Sequence, residues 1–397
     1  MRLLAQQGYA RTRKIEDGLK SGAVQGVILS PRHERPDKLR QYVAALSAQF
    51  AGADILVDPQ FYAATMSSDR LGYLPLYEEY FRSGLSRRDF IGQTKISSYA
   101  AGVLGFQKEL SVSRLVSPSI LLNTFNDDRS QIGFALAEES LSYHEKQLDA
   151  PPLLLTLVVN ETALSDSEGL FEFLDLVTAW DVKGFYVLVA RNTPKYPAPF
   201  EPRALANLMY LAYVLGEVNQ REVIFGYSDL VGFLLVAAGA TAIGTGWWNT
   251  TRQFSTNMFE ESSGGKRPKA RYTSGPLLSS ILLIPELVSA IEALSAERIL
   301  SHTAEDARLR RSISDENWPA DVACLHHWRV ISDVLIALEG STVPERIEFL
   351  GTRVRDARRL HDELRQLGVQ FESAAARSQL SEWIQAIDIF EAELLGS

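Results

Sequence analysis

The sequence predicts an α/β protein, a (β/α)8 TIM-like barrel followed by an α-helical C-terminal domain. Short apolar, β-branched runs alternate with helical periodicity about eight times over roughly 270 residues, the rhythm of such a barrel. The runs are continuously apolar rather than alternating, as in strands buried on both faces. The turn after the first run, SPRHERP (30–36), contains no glycine. A doubly wound dinucleotide-binding sheet would need a Gly-rich phosphate loop there. The barrel is assigned to residues 1–296 and the helical domain to 297–397.

GAVQGVILSPR (22–32) reads as the first strand, stopped by Pro31. The segment 36–52 has Leu39, Tyr42, Val43, Leu46 and Phe50 at helical spacing, proline in its first turn and glycine at its end. ADILVDPQFY (53–62) is the second strand, and a long helical region is expected over 75–110. RLVSPSILL (114–122) is the third strand and 127–148 its helix, with acidic residues in the first turn where the dipole favours them. Strands four to six fall at 151–161, 182–192 and 221–229, with helices at 166–180, 202–218 and 230–239. ATAIGTGWW (240–248) is the seventh strand and YTSGPLLSSILL (272–283) the eighth. Between them, SSGGKRPKAR (262–271) is a flexible basic loop. From 297 onward only amphipathic helical segments remain.

Hydrophobic residues make up 46% and charged residues 22% of the 397, which suits a globular chain with a sizeable core. The net charge of −9 argues against a protein that coats nucleic acid uniformly, while leaving room for a local basic patch. A single cysteine, Cys324, excludes a disulfide framework or a cysteine zinc site within one chain and suits a reducing cytoplasm. The first residues lack a secretory apolar run, and no stretch approaches about 18 apolar residues. A cytoplasmic protein away from membranes is therefore expected. His33 is the one histidine near the predicted mouth, without clustered carboxylates, so neither metal nor cofactor is expected.

Active sites of such barrels lie at the carboxyl ends of the strands, so the polar residues where each apolar run stops are the candidates. Asp58 follows ILV and is poorly solvated there, which calls for a partner or a chemical role. Glu161 and Asp229 are further candidate catalytic carboxylates. Arg32, Gln60, Tyr62, Asn160, Arg191, Tyr227, Trp247, Asn249 and Arg252 are candidate ligand-binding residues. The arginines offer planar forks for carboxylate or phosphate. Gly244 and Gly246 would let backbone amides approach a phosphate, and Lys266, Arg267, Lys269 and Arg271 would overhang the mouth and attract a polyanion. If the seventh strand runs on through GTGWW, Trp247 shares a face with Thr245 and stacks on a ring, while Trp248 packs against a helix.

Two resemblances bear on function. VVNE (158–161) resembles the Asn-Glu pair of retaining glycosidases on this barrel, which implies Glu161 as acid/base. Such enzymes also need a carboxylate at the end of strand seven, which GTGWW lacks. Over about 20–295, Asp58 and the passage GYSDLVGFLLVAAGATAIGTG (226–246) resemble the tRNA-guanine transglycosylase superfamily and its divergent relatives in bacterial DNA-modification and anti-phage operons. That resemblance implies a purine-like base or nucleotide as ligand, with Asp58 as base-reading or general-base aspartate. The family's aspartate nucleophile and cysteine-rich zinc site have no counterpart, and Asp229 is the nearest substitute. The expected function is recognition, with or without modification, of a nucleobase, nucleotide or nucleic-acid end. The rivals are a non-catalytic barrel in a multi-protein defence or modification system, and a glycoside hydrolase using Glu161. A protein partner on the helical domain and self-association stay open.

Overall fold

The computed structural model describes the chain except for residues 10, 11, 67, 69, 194, 260–268, 373, 374, 396 and 397, and the side chains of 375, 376, 394 and 395. Parallel strands wrap into a nearly closed eight-stave barrel. The strands are β1 (Arg2–Gln6), β2 (Gly26–Leu29), β3 (Asp54–Val57), β4 (Leu115–Val116), β5 (Leu121–Leu122), β6 (Leu153–Asn160), β7 (Gly184–Ala190), β8 (Glu222–Phe225) and β9 (Ala242–Thr245). They lie in the order β3-β2-β1-β9-β8-β7-β6-β4, with β5 also paired to β6.

This arrangement shifts the expected strand numbering by one. The first stave is RLLAQ at residues 2–6, and the run at 240–248 supplies the eighth stave rather than the seventh. RLLAQ escapes a search for apolar runs because it ends in Gln6 and is followed by Gln7, both buried. The segment 272–283 is not a stave. It forms an antiparallel hairpin, β10 (Arg271–Ser274) and β11 (Ser279–Leu282), outside the barrel. There Tyr272, Leu277, Ile281, Trp318 and Leu364 share a second, smaller core.

RLVSPSILL also divides. Pro118 interrupts it, so β4 pairs with Leu153 and Leu154 while β5 pairs with Val158 and Val159. Ser117 bridges the gap: its Oγ accepts the Thr156 N–H (2.9 Å), and its carbonyl accepts the Thr156 hydroxyl (2.6 Å). Among the described residues the one unladdered seam lies between β3 and β4. Ser113 spans it, donating its N–H to the Ile55 carbonyl (2.9 Å) and accepting the Ile55 N–H on Oγ (2.9 Å).

The helices expected at 36–52, 127–148, 166–180 and 202–218 are present as Pro36–Gln49, Asp128–Glu145, Ser167–Val177 and Pro202–Tyr213. The expected helix over 75–110 is helical only at Gln93–Lys108, after two single turns at Leu74–Leu76 and Arg87–Phe90. Gly84 and Gly92 take φ of 73° and 95°, which ends any right-handed helix before them. Among the described residues no helix is long and apolar enough to cross a membrane.

The C-terminal region is helical, with long helices at Ala320–Leu338, Val343–Gln366 and Ala375–Ile389. Its residues join the barrel's own core. Trp328 is wholly buried and donates its indole N–H to the Thr245 carbonyl at the end of β9 (3.1 Å). Gly18 makes room for that ring, since a Cβ there would stand 2.7 Å from it. Trp328→Ala removes both the packing and the bond, and should cost about 3–5 kcal/mol. Urea unfolding measures this; a change within experimental scatter would show that the helix lies outside the cooperative core.

Candidate functional site

Asp58 stands just past the end of β3, fully buried. Its Oδ1 accepts the Gln60 N–H (3.0 Å), and its Oδ2 accepts the hydroxyls of Tyr62 (2.9 Å) and Tyr186 (3.4 Å). Gln60 takes a left-handed φ of 53° in this turn. Burial raises the Asp58 pKa to about 6, against the opposing pull of the Gln60, Tyr62 and Tyr186 hydrogen bonds. Tyr62, Tyr186 and Tyr227 are pushed well above the usual phenol range by burial and by Asp58, so they remain donors.

The Ser30 hydroxyl (2.8 Å) and the Arg32 N–H (3.2 Å) donate to Gln60 Oε1. Gln60 Nε2 and both polar atoms of the Gln6 amide are buried without an aligned partner, although Gln6 lies beside Tyr186 and Tyr227. Each such group costs about 1–3 kcal/mol unless something satisfies it. Two glycines leave room for this layer. A Cβ on Gly226 would stand 2.6 Å from the Tyr186 hydroxyl, and one on Gly244 would stand 3.2 Å from Gln6 Oε1 and 2.7 Å from Ile28.

Tyr227 also borders a narrow cleft of roughly 50 Å³, partly open to solvent, between the ends of β7 and β8. Arg191, Tyr196, Phe200, Asp229, Arg252 and Gln253 line it, and Ser279 and Ser280 of the hairpin close one side. Tyr227 and Asp229 both take left-handed φ, 53° and 46°. Two such non-glycine residues in one turn store strain of the kind found at functional sites. Asp229 is buried; Thr245 donates to its Oδ1 (3.1 Å) and the Tyr196 hydroxyl to its Oδ2. His327, from the C-terminal helix, places Nε2 2.9 Å from Oδ1, and its Nδ1 is 2.9 Å from the Thr273 hydroxyl. Burial pushes the Asp229 pKa up, but His327, Arg252 and Thr245 outweigh it and hold the carboxyl below its ordinary value. Burial and Arg252 lower His327 to about 4. At neutral pH the pair is a carboxylate beside a neutral imidazole. The carboxylate can only accept, so a hydrogen bond between the two requires the imidazole proton on Nε2, which lies within reach of Oδ1 but is not aligned with it.

The other predicted residues scatter. Glu161 is tied to Arg191, and its Oε1 accepts the Asn192 N–H (2.7 Å). Arg191 lies 3.5 Å from the Phe200 ring centroid and donates to the Pro199 carbonyl (2.7 Å). Asn160 caps the next turn by accepting the Thr162 N–H (3.0 Å) and hydroxyl (2.8 Å). Arg32 donates to the carbonyls of Arg70 (2.9 Å) and Met258 (2.6 Å). Arg252 reaches the Gly246 carbonyl (3.2 Å) and Ser280 Oγ (3.3 Å).

β9 ends at Thr245, so the face assigned to Trp247 by strand alternation does not apply. Trp247 instead packs edge-on to Trp328 (6.2 Å), with the Lys14 ammonium 5.5 Å from its ring. Asn249 is exposed at the start of the turn Asn249–Arg252. The Gly246 N–H donates to the Thr251 carbonyl (3.0 Å), so that amide is committed rather than open to an anion. Gly244 lies in the ladder opposite Leu4 and makes room for Gln6. Lys269 pairs with Glu372 (3.0 Å), and Arg271 bonds the Ser280 carbonyl (2.9 Å). Lys266 and Arg267 lie outside the described residues.

Gln6, Tyr186, Tyr196 and His327 were not among the predicted site residues. A tyrosine inside the apolar run GFYVLVA and adjacent glutamines after LLA are the only signals the sequence offers. Among the described residues no three His, Cys, Asp or Glu side chains converge on a metal position. No known protein family matches the chain, and no curated protein matches it.

Asp58 and His327 impose opposite pH dependences. A carboxyl with a folded pKa raised to about 6 binds protons better folded than unfolded, so its stability contribution falls as pH rises from about 4 to 6. A histidine lowered to about 4 loses stability as pH falls from about 6.5 to 4. Asp58→Asn removes only the first effect. Relative to wild type it should gain about 2–3 kcal/mol between pH 4 and pH 7, at about 1.4 kcal/mol per unit. Urea unfolding of both proteins at the two pH values tests this, and a pH-independent difference would contradict it.

Proposed function

We propose that the barrel mouth binds a nucleobase, free or within a nucleotide or nucleic-acid end, on a (β/α)8 barrel related to the transglycosylase superfamily. The observation that carries this reading is the buried array around Asp58. Gln6 and Gln60 carry buried amide atoms without an aligned partner, Tyr186 and Tyr227 stand beside them, and burial raises the Asp58 carboxyl to about 6. The edge of a heterocycle needs such a set of fixed donors and acceptors, and a carboxyl near 6 can accept a ring N–H or exchange a proton. The adjoining cleft offers Tyr196, Tyr227 and Phe200 as flat surfaces. Asp58 serves as base-reading or general-base group, and Asp229 as the ionised second carboxylate beside Arg252.

One observation favours a non-catalytic reading. Both Asp229 oxygens already have partners in Thr245, His327 and Tyr196, as a structural carboxylate would. Glu161, bound on both oxygens, is badly placed to be a glycosidase acid.

Calorimetric titration of the full chain with purine and pyrimidine bases, nucleosides and nucleotides is the test. Binding is expected for at least one base, and Gln60→Leu should weaken it about tenfold, the scale of a lost buried hydrogen bond. Absence of binding across the set at millimolar concentration would end the nucleobase reading. Base-exchange assays with radiolabelled base then separate an enzyme from a binding module.

A further inference from the structure

A second pocket of roughly 260 Å³, partly open to solvent, lies between the ends of β3 and β5 and the turn Thr256–Phe259. Its lining includes Thr65, Ser68, Asn123, Arg129, Thr256 and Phe259. Arg129 is the one charged lining group among the described residues, and it is only partly exposed. Its guanidinium donates to two neutral acceptors, the Leu121 carbonyl (3.3 Å) and Thr65 Oγ1 (3.2 Å). The carboxylates nearest in sequence are committed elsewhere. Asp127 caps the helix by accepting the N–H groups of Arg129 and Ser130 (2.9 Å each), and Asp128 pairs with Arg87 (2.5 Å).

A second guanidinium stands behind the same wall. The Arg32 guanidinium lies 4.9 Å from the Phe259 ring centroid and, among the described residues, donates to two backbone carbonyls, those of Arg70 and Met258. Two arginines without a carboxylate partner among the described residues thus flank one turn of a chain with net charge −9. A guanidinium drawn partly out of water gains most from a planar oxyanion, which it can grip through two parallel N–H bonds. Phe259 also packs edge-on to Tyr62 (6.2 Å), which joins the pocket to the Asp58 cage.

We propose that this pocket is an oxyanion subsite, taking a phosphate or carboxylate group through Arg129, with Asn123 and Thr256 supplying neutral hydrogen bonds. The proposal does not rest on the nucleobase reading, because neither Gln6 nor Gln60 lines this pocket and Arg129 has no carboxylate partner among the described residues.

The probes are inorganic phosphate and malonate, titrated calorimetrically into the full chain in low-chloride buffer. At least one should bind. Arg129→Ala should lower its affinity at least about tenfold, as for loss of a charge-assisted pair. Arg129→Lys should fall between the two, because a point charge replaces the fork. Arg298→Ala, which removes an exposed pair with Glu363, should leave affinity unchanged. The ratio of phosphate to malonate affinity distinguishes the two ligand sources. Failure of both probes to bind at millimolar concentration would overturn the proposal, as would wild-type affinity in Arg129→Ala or an equal loss in Arg298→Ala. Should Arg129→Ala not fold, Asn123→Ala with Thr256→Val tests the same pocket, with the same loss expected. Nucleobase titrations leave this outcome untouched, so the two readings fail separately.

Discussion

A carboxyl group taken wholly out of water sets the arrangement of the barrel mouth. Asp58 can remain at the end of β3 only because donors from different staves reach it. The Gln60 amide does so by bending the chain into a left-handed turn, and that turn places the Gln60 side chain where Ser30 and Arg32, after β2, donate to it. Tyr186 reaches across from β7, and Gly226 after β8 leaves it space. Gly244 on β9 leaves space for Gln6 of β1. Segments at the ends of β1, β2, β3, β7, β8 and β9 are therefore arranged, directly or through one neighbour, around the hydration that Asp58 gives up.

The second buried carboxyl meets the opposite environment. Desolvation wins at Asp58 and leaves it titrating near neutrality; at Asp229 the imidazole, the guanidinium and the hydroxyl win and keep the charge. The same burial thus yields two carboxyls in different protonation regimes, decided by whether a cation and an imidazole stand beside the group. The residue that most helps Asp229 comes from the C-terminal helix, so the helical region takes part in the electrostatics of the mouth as well as in its packing.

How much of this was legible in the sequence depended on the length and purity of each signal. β6 and β7, long and predominantly apolar, announced themselves, and so did the helices behind them. Asp58 was legible because a carboxylate directly after a buried run has few fates. β1 was not, since its last residues turn polar groups into the barrel interior, where the usual rule expects oil. The hairpin β10–β11 passed for a stave because a strand's apolar pattern does not reveal which sheet it joins. Trp247 was misplaced by assuming that β9 continued past Thr245. The Asp229–His327 pair joins residues 98 positions apart through tertiary packing, which no local pattern encodes.

The place of β1 has a consequence for the order in which the molecule can assemble. β1 pairs with β2 about twenty residues on, but its other edge waits for the stave at 242–245, in a register that joins Arg2 to Ala242. Contacts so distant along the chain close slowly. Until they close, the opening stave carries a row of unpaired N–H and C=O groups, the kind of edge that invites pairing with another chain. Trp328 comes later still, to cover the end of the stave that closes the ring. The last quarter of the chain thus acts as a latch on its first six residues. A nascent or truncated chain that stops short of that latch would hold most of the barrel's secondary structure while leaving its most adhesive edge open.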